Sequence, residues 1–214
     1  MSSLPRDHEL RHWINPDYVD LHEAGELREK WVAEVPFEHT VLPDFFQAPI
    51  LAAVQEACRR IPVERNVTYG LAKDSSLNWG PFHDPEILRF VYSPEFRRFL
   101  NRAMACELFM KASSVPQFNH YSAGSKGLPI HNDHLDERDL VMLLQLTRQH
   151  PLGGGGELML HQEGKEGFEM FRSIPPISNT LTLFKVSGKS WHSVTDMKSD
   201  WERTLLAFDW FVRA

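Results

Sequence analysis

Residues 121–134 read Tyr-Ser-Ala-Gly-Ser-Lys-Gly-Leu-Pro-Ile-His-Asn-Asp-His. In an extended strand positions i and i+2 face one side, so His131 and Asp133 are expected to aim an imidazole and a carboxylate at one point. Two such groups do not hold a transition metal firmly. A second imidazole from elsewhere would complete a set of two histidines and one carboxylate, whose open positions suit non-haem Fe(II). His192 is the candidate for that third ligand.

The tripeptide alone decides little. With 11 His and 12 Asp in 214 positions, roughly 0.6 His-x-Asp pairs arise by accident. The chain has two, His131/Asp133 and His134/Asp136, beside a His161/Glu163 pair. The surroundings must choose between them.

Outward from this stretch the texture is one of short β-like runs. Val115–Tyr121, Leu128–Asp133, Arg138–Thr147, Glu157–His161, Thr180–Val186, His192–Val194 and Thr204–Val212 each read as a strand. Gly- and Pro-rich turns separate them, notably Gly153–Gly156 and Ile174-Pro-Pro. The four glycines are no phosphate loop, because no Gly-Lys-Ser/Thr follows them. Towards the N-terminus the reading is helical. It gives a short helix from Asp20 to Trp31 and a longer one opened by Asp44 and running from Phe45 to about Ile61. Two more follow at Pro85–Val91 and from Ser93. Phe37–Leu42 and Val67–Ala72 read as strands, and Ser75–Pro85 as loop. Helices first and many short strands afterwards predict an antiparallel sandwich or barrel with helices on one sheet.

The totals fit one domain spanning 1–214, with 1–114 as a helical support region and 115–214 as the β core. A net charge of -6 supplies no basic field, so no nucleic-acid partner is expected. Cys58 and Cys106 form neither a disulfide framework nor a zinc motif. No run approaches 18 apolar residues and the first residues are polar, so neither a membrane span nor a secretory signal is expected, and the cytoplasm is the default.

From Tyr121 onward the chain resembles the prolyl-hydroxylase-like branch of the 2-oxoglutarate- and Fe(II)-dependent oxygenases. The likeness lies in an ordered series: Tyr121 ten residues before His131, the His131/Asp133 pair, and the apolar run Leu140–Leu146. Gly155-Gly-Glu-Leu158, Leu181-Thr-Leu-Phe184, His192 and Arg203 continue it. It covers about the last 95 residues. The spacing before His131, and the 59 residues from Asp133 to His192, favour this pair over His134/Asp136.

The resemblance implies a double-stranded β-helix (jelly-roll) carrying iron on His131, Asp133 and His192. It implies 2-oxoglutarate as co-substrate and O2 as oxidant, with succinate and CO2 released as an unactivated C–H is hydroxylated. Arg203, eleven residues after His192, would hold the distal carboxylate, because a guanidinium is a planar, permanently charged fork. Tyr121 would line the same pocket. Many relatives carry a Tyr in the strand after His-x-Asp where this chain has Gln145-Leu-Thr. Gln145 is the candidate replacement in co-substrate binding. Trp79, Phe82 and His83 are candidates for a lid, and Trp191 for shielding the iron. No charge pattern selects among a prolyl or aminoacyl residue, a free amino acid and a small natural product. Two alternatives stay open: a cupin-like metalloenzyme without 2-oxoglutarate, and a jelly-roll binding module with a structural metal closed by a fourth ligand such as His134.

Overall fold

Two helix starts in this chain are marked by a small polar residue followed by proline. Asp84 accepts from the backbone N–H groups of Glu86 and Ile87 and opens α5 (Pro85–Val91). Ser93 accepts from Phe96 N at 3.1 Å and opens α6 (Pro94–Met104). Both prolines sit in the first turn, where a missing N–H costs nothing. The computed structural model describes residues 4–5, 9–23, 25–33, 35–62, 77–111, 114–134, 138–147, 150–151, 153–198 and 201–213.

The N-terminal helices depart from expectation in two places. The single helix expected from Asp20 to Trp31 is two, α2 (Pro16–Glu23) and α3 (Glu26–Ala33), after the short α1 (Leu10–Trp13). Between them Gly25 takes φ 84°, which glycine reaches without a Cβ clash. The long helix α4 runs Ala48–Arg59 rather than starting at Phe45. Asp44 is no cap: it turns at φ 50°. The Asn179 side chain then grips the Phe46 backbone at both N–H (2.9 Å) and C=O (2.8 Å), and Pro49 sits in the first turn of α4.

The described residues form eleven strands, beginning with β1 (His39–Leu42). The other ten are β2 (Leu77–Pro81), β3 (Leu108–Phe109), β4 (Gln117–Tyr121), β5 (Leu128–His131), β6 (Leu140–Gln145), β7 (Leu158–Gly164), β8 (Gly167–Ile174), β9 (Leu181–Lys185), β10 (His192–Val194) and β11 (Arg203–Val212). One sheet runs β1-β9-β6-β11-β4-β2, with β3 on β11; the other runs β5-β10-β7-β8. All pairings are antiparallel. This is the expected jelly-roll with helices on one sheet. Strand β2 falls where a loop was expected, and its Pro81 is tolerated because β2 ends the sheet. The strand expected at 67–72 lies outside the described residues.

Strand β11 shows how the alternation builds the domain. Leu206, Phe208 and Trp210 face the helices, in one core with Phe90, Phe96 and Leu100. Burying each such side chain is worth about 1.5–3 kcal/mol. Arg203, Leu205, Ala207 and Asp209 face the other way, into the space between the sheets. Two smaller cores, one around Phe184 and Leu160 and one around Tyr121 and Trp201, fill part of that space. The remainder is open.

Candidate metal centre and cavity

Strands β5 and β10 pair so that His131 stands directly opposite His192. Their ring centroids are 4.2 Å apart. Each ring is tethered in the same way. His131 Nδ1 lies 2.7 Å from Pro129 O, and His192 Nδ1 lies 2.8 Å from Ser190 O. A carbonyl only accepts, so both Nδ1 atoms carry the proton and both Nε2 lone pairs are left for a ligand.

Asp133 reaches the same point by a route the alternation argument did not foresee. Strand β5 ends at His131, and Asp133 takes φ 58°, a left-handed conformation that Asp tolerates better than most residues. A turn, not a strand face, brings the carboxylate round. Asn132 supports it, its Oδ1 accepting from His134 N at 3.2 Å. The Ser190 hydroxyl lies 2.9 Å from Asn132 O and ties this turn to the segment before β10. Asp133 Oδ1 is then 3.5 Å from His131 Nε2, and Oδ2 is 3.5 Å from His192 Nε2.

Ligand atoms of the three residues all lie within 4.8 Å of one another. Among the described residues this is the one such cluster. His134 is exposed, and Asp136 lies outside the described residues. His161 is buried elsewhere, with Nε2 2.8 Å from Ser193 Oγ. Burial, with His192 behind it, pushes the His131 imidazole below its ordinary value, against the pull of Asp133. Burial works to raise the Asp133 carboxyl, but the hydrogen bond and charge of His192, with Arg138 and His131, outweigh it and hold the pKa at about 2. Two imidazoles presenting Nε2 and one carboxylate converge, a donor set that fits Fe(II).

The triad opens into a cavity of about 520 Å³ between the sheets. At its inner end Arg203 is 1% exposed, opposite Tyr121 in the β11–β4 register, with its guanidinium 5.2 Å from the Tyr121 ring centre. Arg203 Nε donates to Gln145 Oε1 at 3.3 Å. Its Nη1 is buried and has no partner. A buried, half-satisfied cation is costly unless an anion completes it, so this end of the cavity fits a carboxylate. Tyr121 and Arg203 line the cavity; Gln145 stands behind Arg203 rather than in the wall. Burial raises the Tyr121 hydroxyl, against the pull of Arg203.

At the other end Arg138 pairs with Asp209 at 3.1 Å and lies 3.9 Å from Asp133 Oδ2. Asn119 Oδ1 and Trp191 Nε1, both of lining residues, are buried without a partner. Sequence reasoning missed Asn119, Arg138 and Asp209. The signal available was parity, since Asp209 and Arg203 are six apart and share a strand face. Asp139 is structural, accepting from Val212 N at 2.7 Å. Of the lid candidates, Phe82 is core, Trp79 belongs to β2 and His83 is exposed. No helix of the described residues is long and apolar enough to cross a membrane.

Comparison with known proteins agrees with this geometry. Residues 116–212 match the family model described as the 2OG-Fe(II) oxygenase superfamily. The chain is 26% identical over 196 residues to Prolyl 3-hydroxylase OGFOD1 of Xenopus laevis, covering 88% of this chain and 37% of that protein. The same protein of Mus musculus is 25% identical over 182 residues, covering 82% and 33%. The chain thus spans about a third of the length of these curated relatives. Among solved structures, a Trichoplax adhaerens prolyl hydroxylase in complex with a hypoxia inducible factor peptide fragment superposes with TM-score 0.69 at 15% identity, covering 90% of this chain and 92% of that one. A Pseudomonas putida prolyl-4-hydroxylase gives TM-score 0.66 at 18% identity, covering 88% and 100%. At these identities the structures speak for the fold.

Proposed function

We propose that this chain, whose residues 116–212 match the 2OG-Fe(II) oxygenase superfamily model, is an Fe(II)- and 2-oxoglutarate-dependent dioxygenase hydroxylating a prolyl or other aminoacyl residue. The observation that carries the assignment is one cavity with the two-histidine, one-carboxylate set on its wall and the unpartnered Arg203 Nη1 at its closed end. His131, Asp133 and His192 hold the iron, which when bound couples oxidation of 2-oxoglutarate to succinate and CO2 with insertion of one oxygen atom into a substrate C–H bond.

The chain's own residues do the positioning. The Nδ1 tethers to Pro129 and Ser190 stop either imidazole from turning its Nε2 away from the metal. Arg203, steadied by Gln145 and flanked by Tyr121, holds the distal carboxylate of 2-oxoglutarate. Leu143, Leu205 and Phe184 make the lining between apolar and limit water at the reacting centre. Asn119 Oδ1 and Trp191 Nε1 offer an acceptor and a donor to a substrate amide. Prolyl hydroxylation is the first activity to test, because the relatives quoted above are prolyl hydroxylases. A structural metal closed by a fourth protein ligand is not favoured, since the cluster among the described residues contains three.

Anaerobic addition of Fe(II) and then 2-oxoglutarate should produce a weak visible charge-transfer band, and His131→Ala should lose it. Stoichiometric iron binding with no band on adding 2-oxoglutarate would refute the assignment.

A further inference from the structure

The hairpin of β7 and β8 carries a surface that the metal centre does not explain. Strand β8 ends the four-stranded sheet, with β7 on one side and, among the described residues, no strand on the other. Phe168, Met170 and Phe171 of β8 are 42%, 57% and 45% exposed, among the most exposed large apolar side chains of the protein. Natural edge strands are guarded against pairing by lysine, proline or bulges. Residues 167–174 contain neither lysine nor proline. The one register irregularity of β8 falls after Met170, at Phe171, so Gly167–Met170 is a regular edge open to pairing.

Its position says with what. Phe168 and Met170 share one strand face. The Phe168 ring lies 4.6 Å from the ring of Trp191, which lines the cavity beside His192. An apolar path therefore runs from the edge to the site. The hairpin is also acidic, with Glu163, Glu166 and Glu169 exposed against Lys165, which complements a basic strand.

We propose that β8 is the docking edge for the substrate polypeptide. Resting on the dioxygenase assignment above, an extended substrate segment adds beside β8 as a fifth strand. Main-chain hydrogen bonds supply affinity, and side chains at alternate positions supply specificity. Apolar residues two apart pack on Phe168 and Met170, and basic residues lie near Glu163 and Glu169. Strand β8 is two strands from β10, which carries His192. At about 4.8 Å per strand, a strand added beyond β8 lies ~14 Å from the line of His192, a span of about four extended residues. The docking motif is therefore offset from the hydroxylated residue by at least that much. A free amino acid or a small natural product has no segment to place there, so the edge selects a polypeptide.

The test is an array of short synthetic peptides, each with one central proline and its flanks varied. It is probed anaerobically with protein loaded with Fe(II) and 2-oxoglutarate. Wild type should select peptides with an apolar-x-apolar motif displaced to one side of the proline. Met170→Lys, which places a guarding charge on the edge, should bind them about tenfold more weakly, whereas Met170→Leu should retain them. Equal binding by Met170→Lys, or no selection at all, overturns the docking edge. So does a wild type that sediments as a dimer when Met170→Lys is a monomer, for then a second copy covers β8. The visible band, read first in each protein, keeps the two ideas apart. Its absence in wild type removes the dioxygenase assignment, whereas its presence without peptide selection overturns the docking edge alone.

Discussion

His131 and His192 are cross-strand partners whose rings meet at 4.2 Å, each locked with Nε2 free by a carbonyl two residues before it. Both rings are held by protein carbonyls, so an ion bound between them should stabilise the native chain. A divalent ion at 100 times its Kd should add about 2.7 kcal/mol to unfolding stability. Differential scanning calorimetry with anaerobic Fe(II) should show the rise in wild type and its loss in His192→Ala.

His131, with His22 and His161, sets a pH dependence in the metal-free protein. Burial pushes His131, His22 and His161 below their ordinary values, with further lowering from His192 for His131 and His161 and from Arg102 for His22. In the unfolded chain all three titrate near 6.5. Just below that pH the unfolded state binds more protons than the native one, so stability falls as pH drops through the window. Urea midpoints should be lower at pH 5.5 than at pH 7.5, with a shallower dependence in His131→Asn.

Arg203 should govern co-substrate affinity. Arg203→Met leaves a carboxylate with no cation at the closed end and should weaken 2-oxoglutarate by roughly 100-fold, a loss of about 3 kcal/mol. Titration of the anaerobic visible band reads the affinity directly. Unchanged affinity would mean that the co-substrate is held elsewhere.

Gln145 acts through Arg203, accepting from its Nε at 3.3 Å. Gln145→Leu should raise KM for 2-oxoglutarate by about tenfold, corresponding to ~1.4 kcal/mol for one buried hydrogen bond to a charged group. The turnover number should change little. A fall in turnover at saturating 2-oxoglutarate would show that Gln145 does more than steady the guanidinium.

Gly155 sits at φ 84°, and a Cβ there would fall 1.8 Å from the carbonyl oxygen of Asp196. Gly155→Ala forces two backbone segments apart and should destabilise the protein by about 2–4 kcal/mol. Chemical denaturation checks the loss. Gly153→Ala, whose Cβ would meet only the Lys198 side chain at 3.7 Å, should cost less.

Strands with clean alternation were legible in sequence, and β10 (His192–Val194) and the helix Pro85–Val91 came out with their true bounds. Strand β8 was not, because Phe168, Met170 and Phe171 put apolar groups on both faces and no period survives. The bounds of α4 were misread because Asn179, 133 residues away, fixes the backbone that a local cap was expected to start. At the site, His131, Asp133, His192 and Arg203 were singled out by the resemblance to the oxygenase family, whose ordered series of residues they match. The turn at Asp133 was not, since a left-handed φ leaves no mark on composition. Asn119 and Asp209 stayed hidden because one inward polar residue on a strand looks like any other until its neighbours are known.

The helices cover the outside of one sheet only, and this divides the site mechanically. Arg203 stands on the sheet backed by that helical layer, a stiff wall. The two histidines stand on a four-stranded sheet in which β5 has four residues and β10 three, a thin and compliant wall. The co-substrate anchor is therefore fixed before binding. The metal-bearing side can breathe, and amide exchange at His131 and His192 should slow sharply once an ion bridges them, while exchange at Arg203 stays as it was.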